Sequence, residues 1–258
     1  MRRVEPRSQC GHPLSAGTVS IALMVTPADL ATLLFGQDGP PEREVVLNQG
    51  FTRDAAKTKR ALPDERLWPL EFDNLPLVNG RIRIDRRLLF IIAERAAHTP
   101  DDWVAAQLHT AAAIWGASPG RDTHRALKPL ANPEAPQNLT AALKLVRGEG
   151  AHSGYKAMLR PKGRLNTPGL ASSYFTKFLY FGGWDAKPFL AQPLIMDDRV
   201  VDALKDVTRE SWQGESVSDY TRYLDLVRDV ANEAETAEDV VEWRLWGWKG
   251  DGDQTPDS

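Results

Sequence analysis

The chain has 258 residues, 42% of them hydrophobic, with a formal net charge of −3 and a single cysteine, Cys10. That is enough chain to enclose a sizeable core. The lone cysteine excludes an internal disulfide, a CxxC pair and a cysteine-built zinc or iron–sulfur site, and the five scattered histidines (His12, His98, His109, His124, His152) show no HExxH-type spacing, so no metal is expected.

In chain order, residues 1–23 read as a loose extension, with Arg2, Arg3 and a mild apolar patch from Val19 to Val25 that lacks the clean core of a signal peptide. One helical domain is expected over 24–248. Thr26-Pro27-Ala28-Asp29 is a helix start, a capping residue before a first-turn proline and an acid, and Gly36 stops the run. Glu44–Leu47 and Arg81–Ile84 read as two short strands able to pair. Asp85 caps a helix through Leu88, Leu89, Ile91 and Ile92. Thr99-Pro100-Asp101-Asp102 starts another through Trp103, Leu108, Ile114 and Trp115, stopped by Gly116. Residues 137–147 and 218–232 show helical spacing, and Thr236 is expected to cap a helix ending at Gly247. The fold class is therefore mainly α, with at most one small β-hairpin. The polar, acidic residues 249–258 read as a disordered tail. No apolar run is long enough to cross a bilayer, which with the lone cysteine points to a cytoplasmic protein.

Charge is unevenly spread. Residues 121–190 hold eleven Lys/Arg against four Asp/Glu, whereas 197–258 hold seven against seventeen. A locally basic middle can hold a phosphate backbone inside an acidic protein, because screening confines such contacts to about 8–10 Å; solvated helix faces would give the same counts.

The segment 160–200 carries the chemistry. It opens with a basic turn-rich stretch (Arg160, Lys162, Gly163, Arg164, then Asn166-Thr167-Pro168-Gly169), continues as a helix over about 168–181, breaks at Gly182-Gly183 and passes through a proline-containing loop to Asp197-Asp198, which open a helix over Arg199–Val207. Tyr174, Lys177, Phe178 and Phe181 share one helix face, and Phe175 and Leu179 lie opposite. A lysine on such an apolar helix either snorkels to solvent or is desolvated, which favours its neutral, nucleophilic form. Asp197 and Asp198 are equal candidates for a plain helix cap.

The order of these elements and the Lys177-to-Asp197 spacing resemble the 8-oxoguanine DNA glycosylases of the helix-hairpin-helix superfamily. The match is densest at Gly169-Leu170 through Tyr174-Phe175-Thr176-Lys177-Phe178-Leu179-Tyr180-Phe181 and at Pro193-Leu194-Ile195-Met196-Asp197-Asp198-Arg199-Val200, and covers about 145–207. The usual Leu-Pro-Gly-Val-Gly hairpin with the lysine directly after it is absent. Lys177 lies eight residues beyond Gly169, which is closer to the archaeal, mainly helical members. The resemblance implies a glycosylase with abasic-site lyase activity, acting on double-stranded DNA that carries an oxidised or modified base, 8-oxoguanine by family default. It implies Lys177 as Schiff-base nucleophile, Asp197 rather than Asp198 as its carboxylate, and Arg160, Lys162, Gly163, Arg164 and Gly169 as DNA contacts. It implies no cofactor, and a monomer working at the nucleoid. Trp184, Phe181 and Trp115 are candidates to stack on an extruded base, with core packing the competing role. Trp243, Trp246 and Trp248 read as core or a partner surface. The rival readings are a DNA-binding module without catalysis, a glycosylase acting on hypermodified foreign DNA, and a helical interaction protein docking through its acidic end.

Overall fold

The computed structural model describes residues 25–117 and 126–250. Among these residues the chain forms eleven α-helices and one two-stranded antiparallel sheet, the mainly-α architecture expected. The expectation for 1–23 falls outside the described residues, as does that for the tail beyond Gly250.

Helix α1 (Pro27–Phe35) starts as its sequence dictates: Thr26 accepts from the Asp29 amide, and Asp29 accepts from the Thr26 amide in return. Glu44–Leu47, expected as a strand, lies within α2 (Arg43–Leu47). Its two valines favour strands only weakly, and tertiary context decides. Val46 is buried and the Arg43 guanidinium pairs with buried Asp239 at 3.0 Å. The strand that meets Arg81–Asp85 (β2) is instead Gly50–Asp54 (β1), paired from Gly50↔Asp85 to Asp54↔Arg81. They are joined not by a tight turn but by residues 55–80, which hold α3 (Ala55–Arg60) and two 3-10 turns.

Helix α4 (Arg86–His98) is capped by Asp85, as expected. In α5 (Asp102–Gly116) every residue from Val104 to Trp115 is buried, which makes it the central helix. It is capped by Asp101 rather than Thr99, which closes α4. Helix α6 spans Ala135–Glu149, α7 Ala151–Met158 and α8 Ser172–Gly183, and all but two residues of α8 are buried. Helix α9 spans Asp198–Thr208, α10 Val217–Glu233 and α11 Glu238–Trp246. Thr236 does not cap α11. Its amide bonds the Ala231 carbonyl, with Glu235 at φ +51°, so it closes α10, and α11 begins after Ala237 with no side-chain cap. Helix α8 packs on α4, α5, α6 and α7, with α10 and α11 completing the core around it.

Candidate active site

The turn between α7 and α8 is built by backbone constraints. The Gly163 amide donates to the Leu159 carbonyl at 2.7 Å, and a Cβ at Gly163 would lie 2.4 Å from the Ala157 oxygen. Glycine is required here by the approach of the chain to itself, and its N–H is spent within the turn rather than offered to a ligand. Thr167-Pro168-Gly169-Leu170 forms the next turn, closed by Leu170 N–H to Thr167 O at 3.0 Å with Gly169 at φ +86°. Proline followed by a left-handed glycine is the type II order. This turn delays the start of α8 to Ser172 instead of the expected 168.

Lys177 is 4% exposed on α8. Its Nζ donates to Asp197 Oδ2 at 2.7 Å and to the Ser173 carbonyl, one turn back, at 2.8 Å. Lys177 therefore neither snorkels to solvent nor sits as an isolated buried amine; it is half of an ion pair. Asp197 is the N-cap of α9, where its Oδ1 accepts from the Val200 amide at 3.3 Å, so each carboxylate oxygen has a partner. Burial raises the Asp197 pKa. The Lys177 ammonium and the Val200 and Arg199 amides outweigh that, and the carboxyl sits below its ordinary value. Asp198 is exposed and takes no part.

Three groups to which the sequence gave no role beside Lys177 complete the site. Gly116, the last residue of α5, lies flat against the lysine: a Cβ there would be 2.5 Å from Lys177 Cε. Arg53, on β1, gathers the end of the same helix, donating to the carbonyls of Ile114 (2.8 Å), Trp115 (2.8 Å) and Ala117 (2.7 Å). The sheet thus clamps the helix end that faces the lysine. Arg86 and Glu242, both wholly buried, pair at 2.6 Å. Glu242 is raised by burial, an effect that Arg86 opposes and the charge of Asp197 reinforces.

The other candidates are dispersed. Lys162 and Arg164 are exposed, with no ion-pair partner shown among the described residues, and Arg160 is paired with Glu215 at 2.6 Å. Phe181 and Trp115 are buried against each other with ring centroids 5.5 Å apart. Trp184 is half-buried, with the Arg43 guanidinium 4.8 Å from its ring centre. Trp246 and Trp248, by contrast, wall a cavity of about 480 Å³ together with Arg199, Asp202 and Asp206 of α9. Trp246 is joined to Trp115 through Phe51, with centroids 6.1 and 5.7 Å apart.

Residues 44–246 match the family model described as "Putative 8-oxoguanine DNA glycosylase OGG-like protein". The chain belongs to that family. The match reaches well beyond the segment 145–207 on which the resemblance rested, and takes in the sheet, Arg53 and Glu242. Neither the curated proteins nor the solved structures yielded a match. Among the described residues no group of three His, Cys, Asp or Glu side chains could hold a metal ion, and no helix is long and apolar enough to cross a membrane.

Proposed function

We propose that this family member is a DNA glycosylase with abasic-site lyase activity, acting on duplex DNA that carries an oxidised or modified base, 8-oxoguanine foremost. The observation that carries the reading is the buried contact of Lys177 Nζ with Asp197 Oδ2 at 2.7 Å, on the two positions where the family resemblance puts its chemistry.

The target base is stacked in the duplex, so the enzyme must first extrude it, at a cost of a few kcal/mol. Lys162 and Arg164, exposed on the turn that leads into the lysine helix, take the phosphates beside it in this reading. The cavity between Trp246 and the helix that Asp197 caps is large enough for a purine, and the Trp246 indole stacks on the base once the Arg199 guanidinium, 4.6 Å from that ring, moves aside. It serves that role better than Phe181 or Trp115, which face each other in the core.

Lys177 gives a proton to the Asp197 carboxylate and becomes a free amine. Nζ then bonds to C1′ of the deoxyribose as the glycosidic C–N bond breaks, and the base leaves with the electron pair and takes the proton from Asp197, which restores the carboxylate. The new secondary ammonium passes a proton to the Asp197 carboxylate, its lone pair opens the C1′–O4′ bond, and O4′ takes that proton from Asp197, which leaves an iminium on C1′. Loss of a C2′ proton then expels the 3′ phosphate and cuts the strand. Each time Asp197 passes its proton on, its carboxylate is restored and faces the positive charge on the sugar or on its iminium.

The test is borohydride trapping of wild type and Lys177→Ala on duplexes carrying 8-oxoguanine or an abasic site. A covalent complex with wild type that is lost in the variant is the expected result. Trapping on the abasic duplex alone would keep the chemistry and move the search to other modified bases. No trapping on either, with salt-dependent DNA binding intact, would leave a binding module and overturn the proposal.

A further inference from the structure

The ion pair has a silent twin. One residue before Lys177 stands Thr176, and one residue before Asp197 stands Met196. Thr176 is 0% exposed. Its hydroxyl accepts from the Met196 amide at 3.2 Å and donates to the Ser172 carbonyl at 2.8 Å. Both bridges, 176–196 and 177–197, join α8 to the segment entering α9 with the same offset of twenty residues.

The segment that carries Asp197 needs such a tie. Leu194–Met196 is neither helix nor strand, and all three residues are buried, so their backbone polar groups need partners from outside any ladder. Side chains supply them. The Leu194 carbonyl accepts from the Tyr220 hydroxyl at 3.1 Å and the Ile195 carbonyl from the Tyr223 hydroxyl at 2.9 Å. Both tyrosines belong to α10. Among the hydrogen bonds of the described residues, the one that ties these three to the lysine helix is Met196 N–H to the Thr176 hydroxyl.

We infer that Thr176 is a positioning residue that fixes the spacing between Lys177 and Asp197, its hydroxyl acting as a buried rivet between the lysine helix and the aspartate segment. The helix hydrogen bonds fix Lys177 relative to Thr176, and one peptide fixes Asp197 relative to Met196. Locking Thr176 to Met196 therefore sets where the carboxylate meets the amine. Loss of the hydroxyl leaves the Met196 N–H buried and unpaired, and the segment shifts to satisfy it. A displacement of about 1 Å at a reacting group slows such reactions on the order of 10²-fold.

The inference rests on the Lys177 chemistry proposed above, and the experiment separates the two. Single-turnover trapping on an abasic duplex is compared for wild type, Thr176→Val, which keeps the shape and loses the hydroxyl, and Thr176→Ser, which keeps the hydroxyl. If wild type does not trap, the proposed function fails. If it does, Thr176→Val is expected to trap about 10–100-fold more slowly at unchanged DNA affinity, with Thr176→Ser restoring the wild-type rate. A Thr176→Val rate equal to wild type would overturn the inference, and so would equal slowing in both variants, which would mark a packing role. Should Thr176→Val not fold, Thr176→Cys keeps the size with a weakly accepting sulfur. Slowing in that variant with affinity held supports the rivet, and a wild-type rate overturns it.

Discussion

Replacing Gly116 by alanine sets stability against rate. Gly116 ends α5, and glycine is about 1 kcal/mol less favourable than alanine in a helix interior, so helix propensity alone favours the substitution. The geometry opposes it. The new methyl would lie 2.5 Å from Lys177 Cε and 2.6 Å from Cδ, where carbon atoms ordinarily rest about 3.5–4.0 Å apart. The lysine stem must retreat by about 1 Å to restore contact distance. Lys177 is almost wholly buried and held at its tip by Asp197 and Ser173, so the retreat moves the nitrogen proposed to react. A shift of that size is worth about 10²-fold in rate. The assay is single-turnover borohydride trapping on an abasic duplex, with duplex affinity and thermal midpoint measured in parallel. We expect trapping to fall about a hundredfold while affinity holds and the midpoint changes little, gain and clash partly offsetting one another. A Gly116→Ala enzyme that folds and traps at the wild-type rate would show that Lys177 does not react from the position seen here.

Two further outcomes follow from side chains away from the pair. His109 is wholly buried on α5, with no hydrogen-bond partner for either ring nitrogen among the described residues, and burial pushes its pKa down from 6.5 to about 4. The folded state resists the proton that the unfolded chain accepts, so stability is full above about pH 6.5 and falls as pH drops toward 4. The loss approaches about 3 kcal/mol, and His109→Leu should flatten that part of the profile; urea midpoints at pH 7 and 4.5 that shift equally in both proteins would refute it. Lys162 and Arg164 are assigned to DNA phosphates, and replacing both by alanine should make the dependence of log affinity on log salt shallower by about 2, with the thermal midpoint unchanged. An unaltered slope would move the DNA surface elsewhere.

What the sequence disclosed depended on the range of the interaction. Helix starts set by neighbours within three residues, such as Thr26 with Asp29 or Asp85 with Leu88, were readable because capping is local chemistry. Where a threonine was read as a cap, at Thr99 and Thr236, it closed the preceding helix instead, and the N-cap position of the next helix came one or two residues later. Lys177 and Asp197 stood out by resemblance. Periodicity showed a lysine on an apolar helix and could not choose between snorkelling and desolvation, because the carboxylate that answers it arrives twenty residues later. Arg53 gave no signal, and Gly116 read only as the stop of its helix. An exposed-looking arginine on a short strand and a glycine at a helix end are ordinary in sequence, and their meaning comes from contacts across about sixty residues. The valines at 45 and 46 misled because strand preference yields to the surroundings in a five-residue element.

The resting ion pair bears on the timing of the proposed reaction. The ammonium that Asp197 faces before substrate arrives and the iminium that forms after the base departs carry one positive charge on the same nitrogen. From the carboxylate's side, the enzyme at rest already resembles its own covalent intermediate. The dipoles around Asp197, including the α9 amide that its other oxygen caps, need no new orientation when the sugar becomes bonded, so the solvent reorganisation that water would impose at that moment is completed when the chain folds.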